Sequence, residues 1–348
     1  MNRLLPFCIL VTAQLAASSQ TPSNIEAVEY DPAGRWLVSN GNSILSSEDA
    51  GSTWTTFGSV GASHGMEVVD GRLFALHYGV LRAVDLASES QISTLNIPGA
   101  SFLNGMGSRS GELVISDFGT GALHRVDISD PANMSSTVLV NNLGATPNGV
   151  VIDEANNRAL VVTWGACSIY AVDLETGAVS TVVASTGLNN CDGIDLDGSG
   201  RAYVSSWSPN RITRYTADFA SSEAVVTSGL SSPADISYAI DLDTLGVANS
   251  GSDVVTFHGF APAVGVGHFA SEQAPEFAPT GEGMQVRGAA AGLWRVAGWS
   301  ALGQQLWERE CMLHGGEQMV LLPAAGSMVT WLSPQGATWT VRRGPRLP

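Results

Sequence analysis

The chain has 348 residues and a formal net charge of -16, and its 16 basic residues are all arginine. An acidic chain with no basic face excludes a nucleic-acid binder. A content of 44% hydrophobic and only 14% charged residues excludes a disordered one. The same charge suits a soluble surface and a cationic ligand such as a metal ion.

Residues 1–18 read as a signal peptide. Arg3 supplies the positive start, residues 4–13 a short apolar run, and Ala16-Ala17-Ser18 the small residues for cleavage. The run is too short to cross a bilayer, and no later segment reaches about 18 uninterrupted apolar residues, so no transmembrane segment is expected. Cys8 would leave with the leader. Cys167, Cys191 and Cys311 would then meet an oxidising compartment, with the protein secreted or at the cell surface by way of the periplasm.

Residues 22–260 repeat. Thr146-Pro147-Asn148-Gly149-Val150 recurs as Asn190-Cys191-Asp192-Gly193-Ile194 and, earlier, as Phe102-Leu103-Asn104-Gly105-Met106. The anchors in order are Glu26, His64, Asn104, Asn148, Asp192 and Asp235, with gaps of 38, 40, 44, 44 and 43 residues. Each anchor opens an apolar alternating run, a polar or glycine-bearing turn, a β-rich run, a loop and one or two further short strands. In the fourth unit 149–152, 159–163, 167–172 and 179–184 read as strands; in the fifth, 193–196, 202–206, 212–215 and 224–227. Six such units of about 40 residues, each a four-stranded meander, predict an all-β fold, a six-bladed β-propeller.

In that architecture the first strand of each blade lines the central channel, and the six anchors ring one mouth. The second-to-third-strand loops open on the same face and bring Asn40, His77, Asp117, Trp164, Trp207 and Asn249 around it as candidate substrate-lining residues. Asn-Gly and Asp-Gly alone can be tight turns. Four oxygen-bearing side chains in phase at blade entries point instead to a shared ligand, because a turn does not require them to face one axis. Cys167 and Cys191 fall on this face in adjacent blades. A disulfide there would brace the mouth, and two buried free thiols are the alternative.

Two local patterns carry no site. Ser47-Glu48-Asp49-Ala50-Gly51-Ser52-Thr53-Trp54 is an Asp-box hairpin away from the mouth, with no arginine cluster beside it. Asp195-Leu196-Asp197-Gly198-Ser199-Gly200 mimics the start of an EF-hand loop but lacks the twelfth-position Glu and the flanking helices. Residues 261–283, rich in Ala, Pro and Gly, read as a linker. Residues 284–348 hold short strands at 285–287, 293–296, 305–307, 318–322, 328–332 and 338–341, a small C-terminal β-sandwich.

Taken together, Glu26-Ala27-Val28-Glu29-Tyr30-Asp31-Pro32, Val38-Ser39-Asn40, Leu103-Asn104-Gly105, Pro147-Asn148-Gly149, Asp192-Gly193-Ile194 and Pro233-Ala234-Asp235-Ile236 resemble the senescence-marker-protein/gluconolactonase group of calcium-binding propellers, distantly related to paraoxonases. The last 65 residues resemble the C-terminal sorting domain that Bacteroidetes-type bacteria present to their secretion machinery, through Ala301-Leu302-Gly303-Gln304, Gly315-Gly316 and Leu322-Pro323-Ala324-Ala325-Gly326.

The resemblance implies one Ca²⁺ at the mouth on Glu26, Asn104, Asn148 and Asp192. Their chemistry agrees: all four offer hard oxygens, and two carboxylates with two amides leave positions open in a shell of about 6–8 ligands. The implied activity is metal-assisted hydrolysis of a lactone or ester, with Asp192 or His64 as the acid–base residue. His64-Gly65-Met66 is similar to a paraoxonase motif whose histidine lies beside the calcium. Trp164 and Trp207 would wall the pocket. Sugar-lactone hydrolases of this group carry Arg and Asp where this chain has Phe102 and Gly105, so a more apolar lactone or ester stands level with a sugar as the implied substrate. A non-enzymatic extracellular propeller with structural calcium, binding a ligand or protein, is the rival reading. A carbohydrate-active propeller, suggested only by the Asp-box, is a third.

Overall fold

The computed structural model describes residues 19–260 throughout and, beyond them, the strand segments 276–279, 283–287, 292–299, 305–313, 318–321, 328–332 and 338–342. The segment read as a leader lies outside the described residues. The chain divides into two compact units, Met1–Pro262 and Ala263–Pro348.

The first unit is a six-bladed β-propeller. Blade one holds β1 (Val28–Asp31), β2 (Arg35–Asn40), β3 (Ser43–Ser47) and β4 (Thr55–Thr56); blade two holds β5 (Met66–Val69), β6 (Arg72–His77), β7 (Val80–Asp85) and β8 (Ser90–Asn96). Blade three is β9 (Leu103–Arg109), β10 (Glu112–Asp117), β11 (Leu123–Asp127) and β12 (Ser135–Val140). Blade four is β13 (Pro147–Asp153), β14 (Arg158–Thr163), β15 (Ile169–Asp173) and β16 (Val179–Val183). Blade five is β17 (Asn189–Leu196), β18 (Ala202–Ser208), β19 (Asn210–Tyr215) and β20 (Ser222–Val226). Blade six has three strands among the described residues, β21 (Pro233–Ala239), β22 (Thr244–Asn249) and β23 (Val254–Gly259), where four were expected. A single 3₁₀ turn, Glu154–Asn156, interrupts the all-β pattern of the described propeller.

Each blade is an antiparallel meander, apolar on both faces because a neighbouring blade covers each face. Leu37 and Phe57 of blade one pack with Leu73 and Val84 of blade two. Trp36 and Val38, on the same strand as Leu37, pack with Ala239 and Ala248 of blade six. Continuous runs such as Leu113-Val114-Ile115 therefore replace simple alternation. The inner strands touch in the order β1, β5, β9, β13, β17, β21, and β21 returns to β1, so the ring closes. The Asp235 N–H donates to the Glu26 carbonyl across the closing seam at 3.0 Å.

In blades three to six a β-bulge at the start of the inner strand aims the anchor. Pairing skips between Pro147 and Val150 in blade four, between Cys191 and Ile194 in blade five, and between Pro233 and Ile236 in blade six. Blade three skips between Leu103 and Met106. Two residues on the inner strand then face one on the second strand, which bends the chain and turns the extra side chain into the channel. The Asn-Gly and Asp-Gly pairs thus lie inside strands and make no turn.

Glycine follows the anchor because adjacent inner strands nearly touch. A Cβ on Gly105 would sit 2.2 Å from the Asn148 carbonyl oxygen, and one on Gly149 2.3 Å from that of Asp192. Successive anchors are held in backbone contact by the absence of a side chain.

The second unit contains a three-stranded sheet, β24 (Glu276–Pro279), β25 (Gly283–Arg287) and β28 (Gln318–Leu321), and a four-stranded sheet. The latter is β27 (Gln305–Leu313), β26 (Gly292–Trp299), β29 (Met328–Leu332) and β30 (Thr338–Arg342), in that order. β24 falls inside the stretch read as a linker. The expected sandwich requires one sheet packed on the other, which depends on residues outside the described ones. No helix among the described residues is long and apolar enough to cross a membrane.

Candidate metal centre at the channel mouth

Glu26, Asn104, Asn148 and Asp192 line one narrow space at the mouth, together with Gly65, Gly105, Gly149 and Asp235. Asn148 and Asp192 are almost fully buried. The Asn104 amide donates to Asn148 Oδ1 at 2.7 Å, and Asn148 Nδ2 donates to the Cys191 carbonyl at 3.4 Å. A half-turn of the Asn104 amide would set two amide oxygens side by side at a spacing that suits neighbours in one coordination shell.

The electrostatics are one-sided, since no Arg or His lines this space. Burial, unrelieved by any hydrogen bond among the described residues, pushes the Glu26 carboxyl up to about 7. Burial, then the charges of Glu26 and Asp235, push Asp192 well above the carboxylate range, while the Trp207 indole N–H and the Asn148 amide pull it partly back. These carboxylates therefore feel one another, as they must to share a cation. Among the described residues no three His, Cys, Asp or Glu side chains converge to hold a metal, so a cation here would depend on the two amides. Buried like charges without a counter-cation, plus hard neutral oxygens, fit Ca²⁺.

The acid lining extends further down the channel than sequence reasoning reached. Glu29, Glu67, Asp195 and Asp235 line a cavity of about 660 Å³. Burial pushes Asp195 up to about 7 and Asp235 up to about 8, and raises Glu29 and Glu67 as well. Glu29, Glu67 and Asp195 each stand three residues after an anchor. Without the bulge, strand alternation would send anchor and third residue to opposite faces, so the spacing did not read as one surface.

The remaining predicted residues divide. Trp164 and Trp207 meet edge to face at 5.0 Å and belong to an arc of rings. The arc continues through Phe118 at 6.0 Å from Trp164, Phe102 at 5.5 Å from Phe118, and His64 at 4.9 Å from Phe102. Phe102 is 40% exposed. His64 thus lies on the arc rather than in the narrow space. Its Nδ1 is 2.9 Å from Ser63 Oγ, and burial lowers its pKa. His77 pairs with Arg82 at 2.7 Å and meets the Tyr78 ring edge to face, and burial and then Arg82 lower its pKa.

Asn40, Asp117 and Asn249 are occupied in holding loops, contrary to the expectation that they face a ligand. Asn40 accepts the Ser23 N–H and donates to Ser43. Asn249 accepts the Ser231 N–H and donates to the Val254 carbonyl and Thr256. Asp117, wholly buried, accepts backbone N–H bonds from Ser101, Phe102, Gly119 and Thr120. Burial alone would raise its pKa, but those donors bring it down to about 2. Its role is to set the loops that carry Phe102 and Phe118. Cys167 and Cys191 form a disulfide, joining blade four to the strand that bears Asp192.

No protein-family model and no curated protein matches the chain. Among solved structures, a protein of unknown function from Bacteroides thetaiotaomicron superposes with a TM-score of 0.58 at 11% identity, over 70% of each chain. A chain of the nidogen/laminin complex superposes at 0.52 with 12% identity, over 64% of this chain and 92% of that one. Both are likenesses of fold alone.

Proposed function

We propose that the chain is an exported Ca²⁺-dependent hydrolase of the gluconolactonase type, acting on an apolar lactone or ester at the propeller mouth. The observation that carries this is the convergence of Glu26, Asn104, Asn148 and Asp192 on one acidic space lined by no basic side chain. Bound there, Ca²⁺ supplies Lewis-acid polarisation of an ester oxygen. The four side chains would hold it, offering fewer oxygens than its shell of about 6–8 takes.

His64 is neutral at neutral pH because burial disfavours its charged form. Nδ1 lies 2.9 Å from Ser63 Oγ; in the tautomer that donates Nδ1–H to that oxygen, Nε2 keeps its lone pair and can take the proton of attacking water. Phe102, Phe118, Trp164 and Trp207 bind the apolar arm of the substrate and exclude water. Phe102 and Gly105 stand where sugar-lactone hydrolases carry Arg and Asp, which argues against a polar sugar. The C-terminal unit is proposed as the sorting domain for export, on the motifs named above.

The test is hydrolysis of a panel of aryl esters and aliphatic lactones with and without chelator, alongside Asp192→Ala. Turnover abolished by chelator and by the substitution supports the proposal; chelator-insensitive turnover removes it. A second reading, a binding module with structural calcium, draws on His64 lying outside the narrow space. Calcium binding with no turnover on any panel member would favour it.

A further inference from the structure

The bulges that aim the proposed ligands leave backbone N–H groups that the strand ladder cannot satisfy. In blades three and five a buried serine on the second strand, opposite the bulge, takes them, and in blade one Ser39 takes the N–H groups of the two residues just before the inner strand. Ser39 Oγ accepts from the Glu26 N–H at 3.0 Å and the Ala27 N–H at 2.8 Å. Ser116 Oγ accepts the Gly105 N–H at 2.8 Å and donates to the Asn148 carbonyl at 2.6 Å. Ser205 Oγ accepts the Gly193 N–H at 2.8 Å and donates to the Ala234 carbonyl at 2.7 Å. All three are fully buried.

The distribution follows the ligands. Blades one, three and five carry these serines, 12 or 13 residues after Glu26, Asn104 and Asp192. The facing position in blade four is Val162 and in blade six Ala248. Asn148, in blade four, is reached instead by Ser116 from the neighbouring blade. Each of the four oxygen ligands is thus one hydrogen bond or one peptide from a serine hydroxyl. Two of these hydroxyls bridge successive blades: Ser116 ties the peptide after Asn104 to that of Asn148 and so fixes the spacing of two ligands, and Ser205 ties the peptide after Asp192 to blade six.

We infer that Ser39, Ser116 and Ser205 are positioning residues for the cation site. They hold the backbone at the blade entries so that Glu26, Asn104, Asn148 and Asp192 stay at a cation's radius. This assignment rests on the Ca²⁺ reading of the mouth. A residue that orients a ligand changes metal affinity by about 10–100-fold when removed, whereas a serine that only fills the core does not.

The test uses the full chain, Ca²⁺ calorimetry and Tb³⁺ luminescence sensitised by the nearby tryptophans, well below the unfolding temperature. Ser116→Ala and Ser205→Ala are compared with Ser206→Ala. Ser206 is equally buried on the same strand as Ser205 but bonds the Pro209 carbonyl and no bulge. The expected result is at least about tenfold weaker Ca²⁺ binding in the first two, with a changed Tb³⁺ emission lifetime, and wild-type affinity in the third. Should Ser116→Ala not fold, Ser116→Cys, which keeps the volume and weakens the hydrogen bonds, is read in the same way. Equal affinity in wild type, Ser116→Ala and Ser205→Ala would overturn the assignment alone, as would an equal loss in Ser206→Ala. A wild type that binds neither ion would overturn the cation reading and the assignment with it.

Discussion

Asp235→Asn removes one ionisable group from the channel and keeps the oxygen that accepts the Ile236 N–H at 3.0 Å. Burial first, and then the charges of Asp195 and Glu26, push this carboxyl up from 3.8 to about 8. The folded chain therefore keeps a proton that the unfolded chain gives up near pH 4. The stability linked to that proton is complete below about pH 4 and is lost as the pH rises through about 8. A shift of about four units at about 1.4 kcal/mol each sets a ceiling of about 6 kcal/mol. Carboxyls in one space share the proton load, so the part assignable to Asp235 is about 2–3 kcal/mol. Urea unfolding in chelator, at about pH 5 and about pH 8.5, reads it directly. Wild type should lose stability between the two, and Asp235→Asn should lose less and be the more stable at the higher pH. Excess Ca²⁺ should restore the wild type there, because a ligand of the folded state stabilises it. Parallel stability curves for the two proteins would refute the reasoning.

Gly149→Ala should destabilise the propeller by about 2 kcal/mol or more, because the new Cβ meets the Asp192 carbonyl at 2.3 Å and both strands must shift; thermal unfolding and Ca²⁺ affinity should fall together. Cys191→Ala opens a loop of 24 residues and should cost about 3 kcal/mol in urea unfolding. Trp164→Ala should raise KM for aryl esters several-fold while leaving that for a small aliphatic lactone nearly unchanged, as measured by steady-state kinetics on both. Asp117→Asn should loosen the loops carrying Phe102 and Phe118 and be read as faster proteolysis of the mouth, since the asparagine offers one good acceptor where Asp117 now takes four backbone N–H bonds.

The blade repeat was legible because anchor spacing and strand length are local properties of the chain. Strands expected at 159–163 and 202–206 lie within β14 and β18. The convergence of Glu26, Asn104, Asn148 and Asp192 on one space was legible for the same reason, as corresponding positions in successive repeats. What the sequence hid depends on the bulge. In blade five it turns Asp195 toward the channel three residues after its anchor, and it makes Ser116 and Ser205 hydrogen-bond partners of residues 11 or 12 positions away. Glycine after Asn104, Asn148 and Asp192 read as turn chemistry, yet its cause is the backbone of the next blade, which no single repeat contains. Asn40, Asp117 and Asn249 stood at the right loops, but whether a side chain faces a ligand or its own backbone is decided by loop geometry.

The central claim is that four side chains share one cation at the mouth. Diffraction from crystals grown with Ca²⁺ tests it most directly. The account predicts one ion with oxygens of Glu26, Asn104, Asn148 and Asp192 at about 2.3–2.6 Å and water completing its shell. A mouth holding no ion under saturating Ca²⁺, or an ion bound by other residues, would contradict it.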